Sequence, residues 1–337
     1  MFELVLVLAF AATFYIGWNI GANDTANAMG TSVGAQVLSF RRAVMLLAIF
    51  VILGAMLEGY KVMKPVGEGI ITDPEGGASP LSSMPEVVVV SMLTAGLWVS
   101  VATYLGVPVS THQAIIGALV GAGFAMSVGG AVPTEVHTGK LLTIFAAWVL
   151  TPLGAAFFAY IIYKAVSIPL RKMRSITALN LFFSASVLLS GCYVAYVMGA
   201  NDVGTAMAAM YAVGKDTMRA DFSQTLALFG AVAVAVGGIT YGKKVMRTIG
   251  EGITRLEPVT AFVAQLAAAI TVHTFTQWGL PVSTSQSIVG GVMGAGLVKG
   301  TRAVKGRKMA SIAATWVVTT LAAMLVSFAL TWTLHLF

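Results

Sequence analysis

The feature that most restricts this chain is a succession of apolar runs, several of which reach the ~20 residues that an α-helix needs to cross a bilayer. Residues 2–20, 44–60, 86–106 and 141–163 are of this kind, with glycine spread through them as membrane helices tolerate. Only 10% of the 337 residues are charged and 58% are hydrophobic, whereas about 25% are charged in a soluble domain. The chain therefore reads as an all-α polytopic membrane protein. Nothing alternates with period two, which argues against a β-barrel. The first run contains Glu3, has no basic residue ahead of it and leads to no small-residue cleavage site, so it is expected to be retained as a helix rather than removed as a signal peptide. The net charge of +7 does not imply a nucleic-acid partner, because Lys and Arg sit in short clusters between apolar runs, where topology accounts for them. The single cysteine, Cys192, excludes an internal disulfide and reads as a small packing residue.

Four landmarks occur twice in the same order. Gly21-Ala22-Asn23-Asp24 returns as Gly199-Ala200-Asn201-Asp202. Lys61-Val62-Met63 with Gly67-Glu68-Gly69-Ile70 returns as Lys244-Val245-Met246 with Gly250-Glu251-Gly252-Ile253. Pro108-Val109-Ser110-Thr111 returns as Pro281-Val282-Ser283-Thr284, and Ala147-Trp148-Val149 is echoed by Thr315-Trp316-Val317. A duplicated unit is implied, residues 1–170 and 178–337, with a basic joint at 171–177 that includes Arg171, Lys172 and Arg174.

Within the first copy, apolar residues 2–20, the Gly-Ala-Asn-Asp motif and the small residues that follow it span about 40 positions. Unbroken, they would make a helix of ~60 Å, twice the hydrocarbon thickness, so a break near Gly21 is expected. Residues 61–85 read as an interfacial helix plus loop. Residues 86–106 and 114–128 flank the Pro-Val-Ser-Thr turn. Parity leaves open whether those flanking helices cross fully or fold back as a re-entrant hairpin; a turn without charge suits burial at mid-depth, which favours two re-entrant hairpins. The whole chain is then expected to hold about 10–12 helical segments. If each unit crosses an odd number of times, the second is upside down relative to the first. Fifteen of the twenty basic residues then fall on one side, which places both termini outside. Inverted repeats with broken helices and a midplane site mark secondary transporters.

Asp24 and Asp202 lie at equivalent positions in apolar surroundings, where ionised side chains are expensive and usually functional. Asn23 and Asn201 precede them, Thr25 follows the first, and Asn27 and Thr205 stand three positions on. Carboxylate, amide and hydroxyl oxygens suit either an alkali cation or proton exchange. The competing reading is a polar helix-packing contact. The two turns offer Ser110, Thr111, Ser283, Thr284 and Ser285 beside helix N-termini, with Gln113 and Gln286 on the first turns and no Lys or Arg near in sequence. These are neutral donors suited to an anion, unless they only cap two helices. His112 could hold the anion or make a structural hydrogen bond; His273 reads as packing, Glu68 and Glu251 as interfacial structure, and Glu58 as interface or cavity.

On these motifs the chain resembles the inorganic phosphate transporter (PiT) family over nearly its full length. The paired stretches are Gly21-Ala22-Asn23-Asp24-Thr25-Ala26-Asn27-Ala28 and Gly199-Ala200-Asn201-Asp202-Val203-Gly204-Thr205-Ala206, together with the two Pro-Val-Ser-Thr turns. The resemblance implies a compact prokaryotic importer of inorganic phosphate, driven by sodium in many members and by protons in others, with a relative that carries sulfate. It implies phosphate held by Ser110, Thr111, His112, Gln113, Ser283, Thr284, Ser285 and Gln286. Sodium ions would sit near Asn23, Asp24, Thr25, Asn27, Asn201, Asp202 and Thr205. No other cofactor and no transition metal are implied; the expected partners are phosphate, sodium, the lipid of a cell (inner) membrane and a second copy in a homodimer. Two rivals are a passive anion channel and a membrane-embedded phosphatase or lipid-modifying enzyme. Buried acids would repel anions in the channel, and no His-Asp-Ser constellation or paired metal signature supports the enzyme.

Overall fold

The computed structural model describes residues 2–34, 36–105, 109–130, 132–170, 172–215, 221–244, 258–300 and 306–334. Pro108, residues 245–246 and 250–253 of the repeated landmarks (Glu251 among them), and Arg171 of the joint lie outside the described residues.

The described chain is almost wholly helical, as membrane-spanning backbone must be when no water is present to pair its N–H and C=O groups. The helices of the first stretch are α1 (Phe2–Gly34), α2 (Phe40–Glu58), α3 (Tyr60–Gly69), α4 (Pro85–Tyr104), α5 (Thr111–Gly129) and α6 (Thr138–Leu170). Those of the second are α7 (Ile176–Met198), α8 (Gly204–Gly214), α9 (Phe222–Thr240), α10 (Pro258–Gln277), α11 (Thr284–Lys299) and α12 (Gly306–Thr333). Among the described residues, nine helices are long and apolar enough to cross a membrane, α7 and α8 counting as one.

The expected break near Gly21 is absent. Helix α1 runs unbroken for 33 residues, about 50 Å at ~1.5 Å per residue, so it must tilt or project beyond the hydrocarbon. The polar residues of its motif are accommodated without opening the helix: the Thr25 hydroxyl donates to the carbonyl of Gly21 one turn back, and Asp24 finds its partner on another helix. In the second copy the same motif, Gly199–Val203, forms five residues of π-helix between α7 and α8. This is a bulge in a continuous 39-residue run from Ile176 to Gly214, not an interruption.

Helix α3 lays one face against the rest of the protein and leaves Tyr60 and Lys64 exposed on the other. Its Val62, Met63, Val66 and Gly67 are buried, and a Cβ on Gly67 would collide with the carbonyl of Ala208 in α8. The loop after it contributes the described β-structure, a ladder of Ile71–Thr72 with Glu135–Val136, antiparallel, in the register Ile71↔Val136 and Thr72↔Glu135.

Glycine contacts bring the two stretches of the chain together. Gly21 of α1 packs on Val234 and Gly238 of α9, while Gly199 packs on Val51 and Ala55 of α2. Gly117 and Gly121 of α5 lie against Thr320 and Met324 of α12; Gly290 and Gly294 of α11 lie against Pro152 and Ala156 of α6. Each pairing appears twice with equivalent residues, and each joins one copy to the other. Small residues at such crossings let membrane helices approach closely enough for backbone van der Waals contact.

Candidate functional site

The site begins with the two turns. Both end in an extended N-cap serine: Ser110 accepts from Gln113 N–H at 3.4 Å, and Ser283 from Gln286 N–H at 3.3 Å. Both serines therefore cap a helix, and each keeps a hydroxyl proton to donate. Ser110, Thr111, His112 and Gln113 are buried, as are Ser283, Thr284 and Gln286. The turns are thus inside the protein, not at its surface.

Helix α11 meets the aspartates directly. Ser285 Oγ donates to Asp24 Oδ1 at 2.8 Å, and Asn27 Nδ2 reaches both Asp24 Oδ1 at 2.8 Å and Ser285 Oγ at 2.7 Å. The next hydroxyl along, Thr284 Oγ1, donates to Asp202 Oδ2 at 2.7 Å. Adjacent residues of one helix turn therefore hold one aspartate from each copy. His112 of the first turn comes within 3.4 Å of Asp202 through its Nε2, inside ion-pair reach but without hydrogen-bond geometry. The two aspartates are only 4% and 0% exposed.

The remaining expected residues divide. Asn201 organises the second turn: its amide donates to Thr276 Oγ1 at 2.8 Å and to the Leu280 carbonyl at 3.0 Å, and its oxygen accepts from Val282 N–H at 3.1 Å. Asn23 is partly exposed and makes no side-chain hydrogen bond among the described residues. Thr205 donates to the Asn201 carbonyl at 2.8 Å and Thr25 to that of Gly21, so both hydroxyl protons serve the helix backbone.

Buried polar atoms at the site lack hydrogen-bond partners among the described residues: Thr111 Oγ1, Gln113 Oε1, Gln286 Oε1, Asp202 Oδ1 and His112 Nε2. Orphaned buried groups are rare and costly. Most of these are oxygen acceptors, hard ligands of the kind that replace the water around an alkali cation.

Sequence reasoning missed Gln265. Buried in α10, it donates through Nε2 to the carbonyls of Asn27 at 3.2 Å and Ala28 at 3.0 Å, and accepts from Ser190 at 3.2 Å. It thereby supports the Asp24 side from behind. The signal was a lone amide in the apolar run 261–270. His273 is not a packing residue: its Nε2 lies 3.0 Å from Glu58 Oε2 and its Nδ1 2.7 Å from the Tyr193 hydroxyl. Gln277, Tyr196 and Lys61 complete that cluster around Glu58, which is on neither turn. Glu68 pairs with Lys215 at 3.3 Å.

A polytopic helical protein whose buried acids and helix-end hydroxyls from two chain segments share one interior site belongs among membrane transporters, not enzymes. The model of the phosphate transporter family matches residues 20–327, and the chain belongs to that family. A protein of Methanocaldococcus jannaschii named "Putative phosphate permease" is 32% identical, with 97% of each chain covered. One of the same description from Haemophilus influenzae is 29% identical over 91% of each. A solved structure, "The sodium-dependent phosphate transporter", superposes with a TM-score of 0.84 at 25% identity, covering 99% of both chains.

Proposed function

We propose that this phosphate transporter is a sodium-coupled symporter of a cell membrane, with phosphate seated between the two turns and sodium near Asp24 and Asp202. The observation that carries the reading is the pair of hydroxyl contacts, Ser285 to Asp24 and Thr284 to Asp202, which joins the presumed anion seat to the presumed cation seat. A serine or threonine hydroxyl has one proton to donate. While it points to a carboxylate, it is withheld from an anion. A sodium ion taking the carboxylate oxygen frees that proton for phosphate, and its charge offsets both the anion and the mutual repulsion of two buried acids. Cation loading thus prepares the anion seat, and the loaded site is closer to neutral when access changes sides. Charge-free turns buried within the protein support hairpins folded back from opposite faces, and the doubled glycine contacts support two inverted units, 1–170 and 178–337. Both termini outside and a homodimer complete the proposal.

Uptake of labelled phosphate and sulfate into proteoliposomes tests this, with a sodium gradient or a pH gradient as the sole driving force. Uphill phosphate accumulation with sodium alone is expected. Accumulation with a pH gradient alone would make the chain proton-coupled, and dissipative flux under both would make it a channel.

A further inference from the structure

A groove of about 570 Å³ opens where the end of α3 meets the start of α6, and none of its lining residues belongs to the candidate site. Its polar wall comprises Lys64, Glu68, His137, Lys140 and Thr143. The acid is already neutralised, because Glu68 pairs with Lys215 at 3.3 Å. Lys64 and Lys140 have no ion-pair partner among the described residues. His137 is pinned in place: its backbone N–H donates to the Ile70 carbonyl at 3.0 Å, and its Nδ1 accepts from Lys140 N–H at 3.2 Å. A ring that accepts at Nδ1 carries its neutral-form proton on Nε2, which makes Nε2 a donor. The groove therefore presents two ammonium groups and an imidazole N–H, a set matched to an oxyanion.

Size and surroundings decide which oxyanion. The volume is that of a pocket for a sizeable organic group, far more than one tetrahedral ion fills. On the face of α6 that continues from Gly139 and Thr143, Leu150, Leu153 and Phe157 are 52%, 59% and 61% exposed, an apolar face that in a membrane meets acyl chains. We propose that this groove holds the phosphate headgroup of an anionic phospholipid, with Lys64, His137 and Lys140 on the phosphate and the acyl chains lying along α6. Free phosphate would satisfy the charge, but it would neither fill the groove nor use the apolar face.

The test compares the full-length protein in nanodiscs of phosphatidylcholine with and without phosphatidylglycerol, measuring lipid co-purified per protomer and thermal stability. Wild type is expected to retain phosphatidylglycerol selectively. The pair Lys64→Gln with Lys140→Gln should weaken that retention roughly thirtyfold, two basic residues acting at the usual strength beside anionic lipid. The charge-keeping pair Lys64→Arg with Lys140→Arg should keep most of it, which preserves the test if the glutamine pair does not fold. Equal retention in wild type and the glutamine pair, or loss in the arginine pair equal to that in the glutamine pair, overturns the proposal. So does saturable binding of inorganic phosphate in pure phosphatidylcholine discs that the glutamine pair abolishes, since that assigns the groove to the free ion.

Discussion

The two halves of the candidate site use matching positions for different chemistry. Asp24 is held by two neutral donors, Ser285 and Asn27, both hydrogen-bonded at 2.7–2.8 Å to one another or to the carboxylate. At the equivalent places around Asp202 stand His112, 3.4 Å away, and Thr205, whose proton goes to the backbone. Asp202 instead relies on Thr284, while the equivalent Thr111 hydroxyl has no protein partner among the described residues. Asp24 Oδ1 accepts two hydrogen bonds; Asp202 Oδ1 and His112 Nε2 face each other at 3.4 Å without a hydrogen bond to either. The repeated motifs stand in unlike surroundings, because His112 faces Asp202 where Ser285 faces Asp24, and Thr205 stands where Asn27 does. Asp202 Oδ1 and His112 Nε2 can each take a new contact without giving up a hydrogen bond of their own.

The most severe break in the comparison is loss of either acid. Asp24→Asn and Asp202→Asn should each reduce sodium-driven phosphate uptake by roughly a hundredfold or more, as expected when a buried charge is removed from its network. Normal uptake with normal sodium dependence in both variants would defeat the assignment. Next come the glycines at the helix crossings. Gly21→Ala and Gly199→Ala would each drive a Cβ into a carbonyl, of Val234 and Val51 respectively, at a cost of about 1–3 kcal/mol or more. Similar falls in thermal stability would show that the frame is equivalent in the two halves even though the site is not.

A smaller effect sharpens the chemical difference. His112→Ser copies the residue of the other half and should raise the phosphate concentration for half-maximal uptake roughly tenfold, the worth of a lost polar contact to a charged group. Asn27→Thr copies the second half into the first and should weaken sodium activation by about fivefold, one or two neutral hydrogen bonds. If each exchange leaves its parameter unmoved, the unlike residues do not make unlike sites. The smallest change is expected from Ser110→Ala and Ser283→Ala, about 1 kcal/mol each through the lost caps. Phosphate titration of the double variant then shows whether their remaining protons serve the anion as well.

Much of the helical layout was legible because apolar length and turn residues are local signals. The ends of α4 and α5 fall within a few residues of the expected spans, since Pro85 and the N-cap Ser110 dictate where they start. The expected break at Gly21 failed for a tertiary reason. A buried partner helix satisfies Asp24, so α1 has no need to unwind. His273 looked inert because Glu58, 215 positions away in sequence, carries its partner oxygen. Gln265 was visible as a polar residue in an apolar run, but its targets, carbonyls of α1, were not.

Composition and duplicated motifs by themselves determined that the chain is a helical membrane protein and which polar residues are too expensive to be idle in that setting. Hydrophobic length and the cost of buried charge are properties of each segment alone, so no partner is needed to recognise them. Only the tertiary structure decided that Ser285 serves Asp24 while its neighbour Thr284 serves Asp202. Two side chains one residue apart on a helix point in directions about 100° apart, and which aspartate each meets depends on how three helices cross.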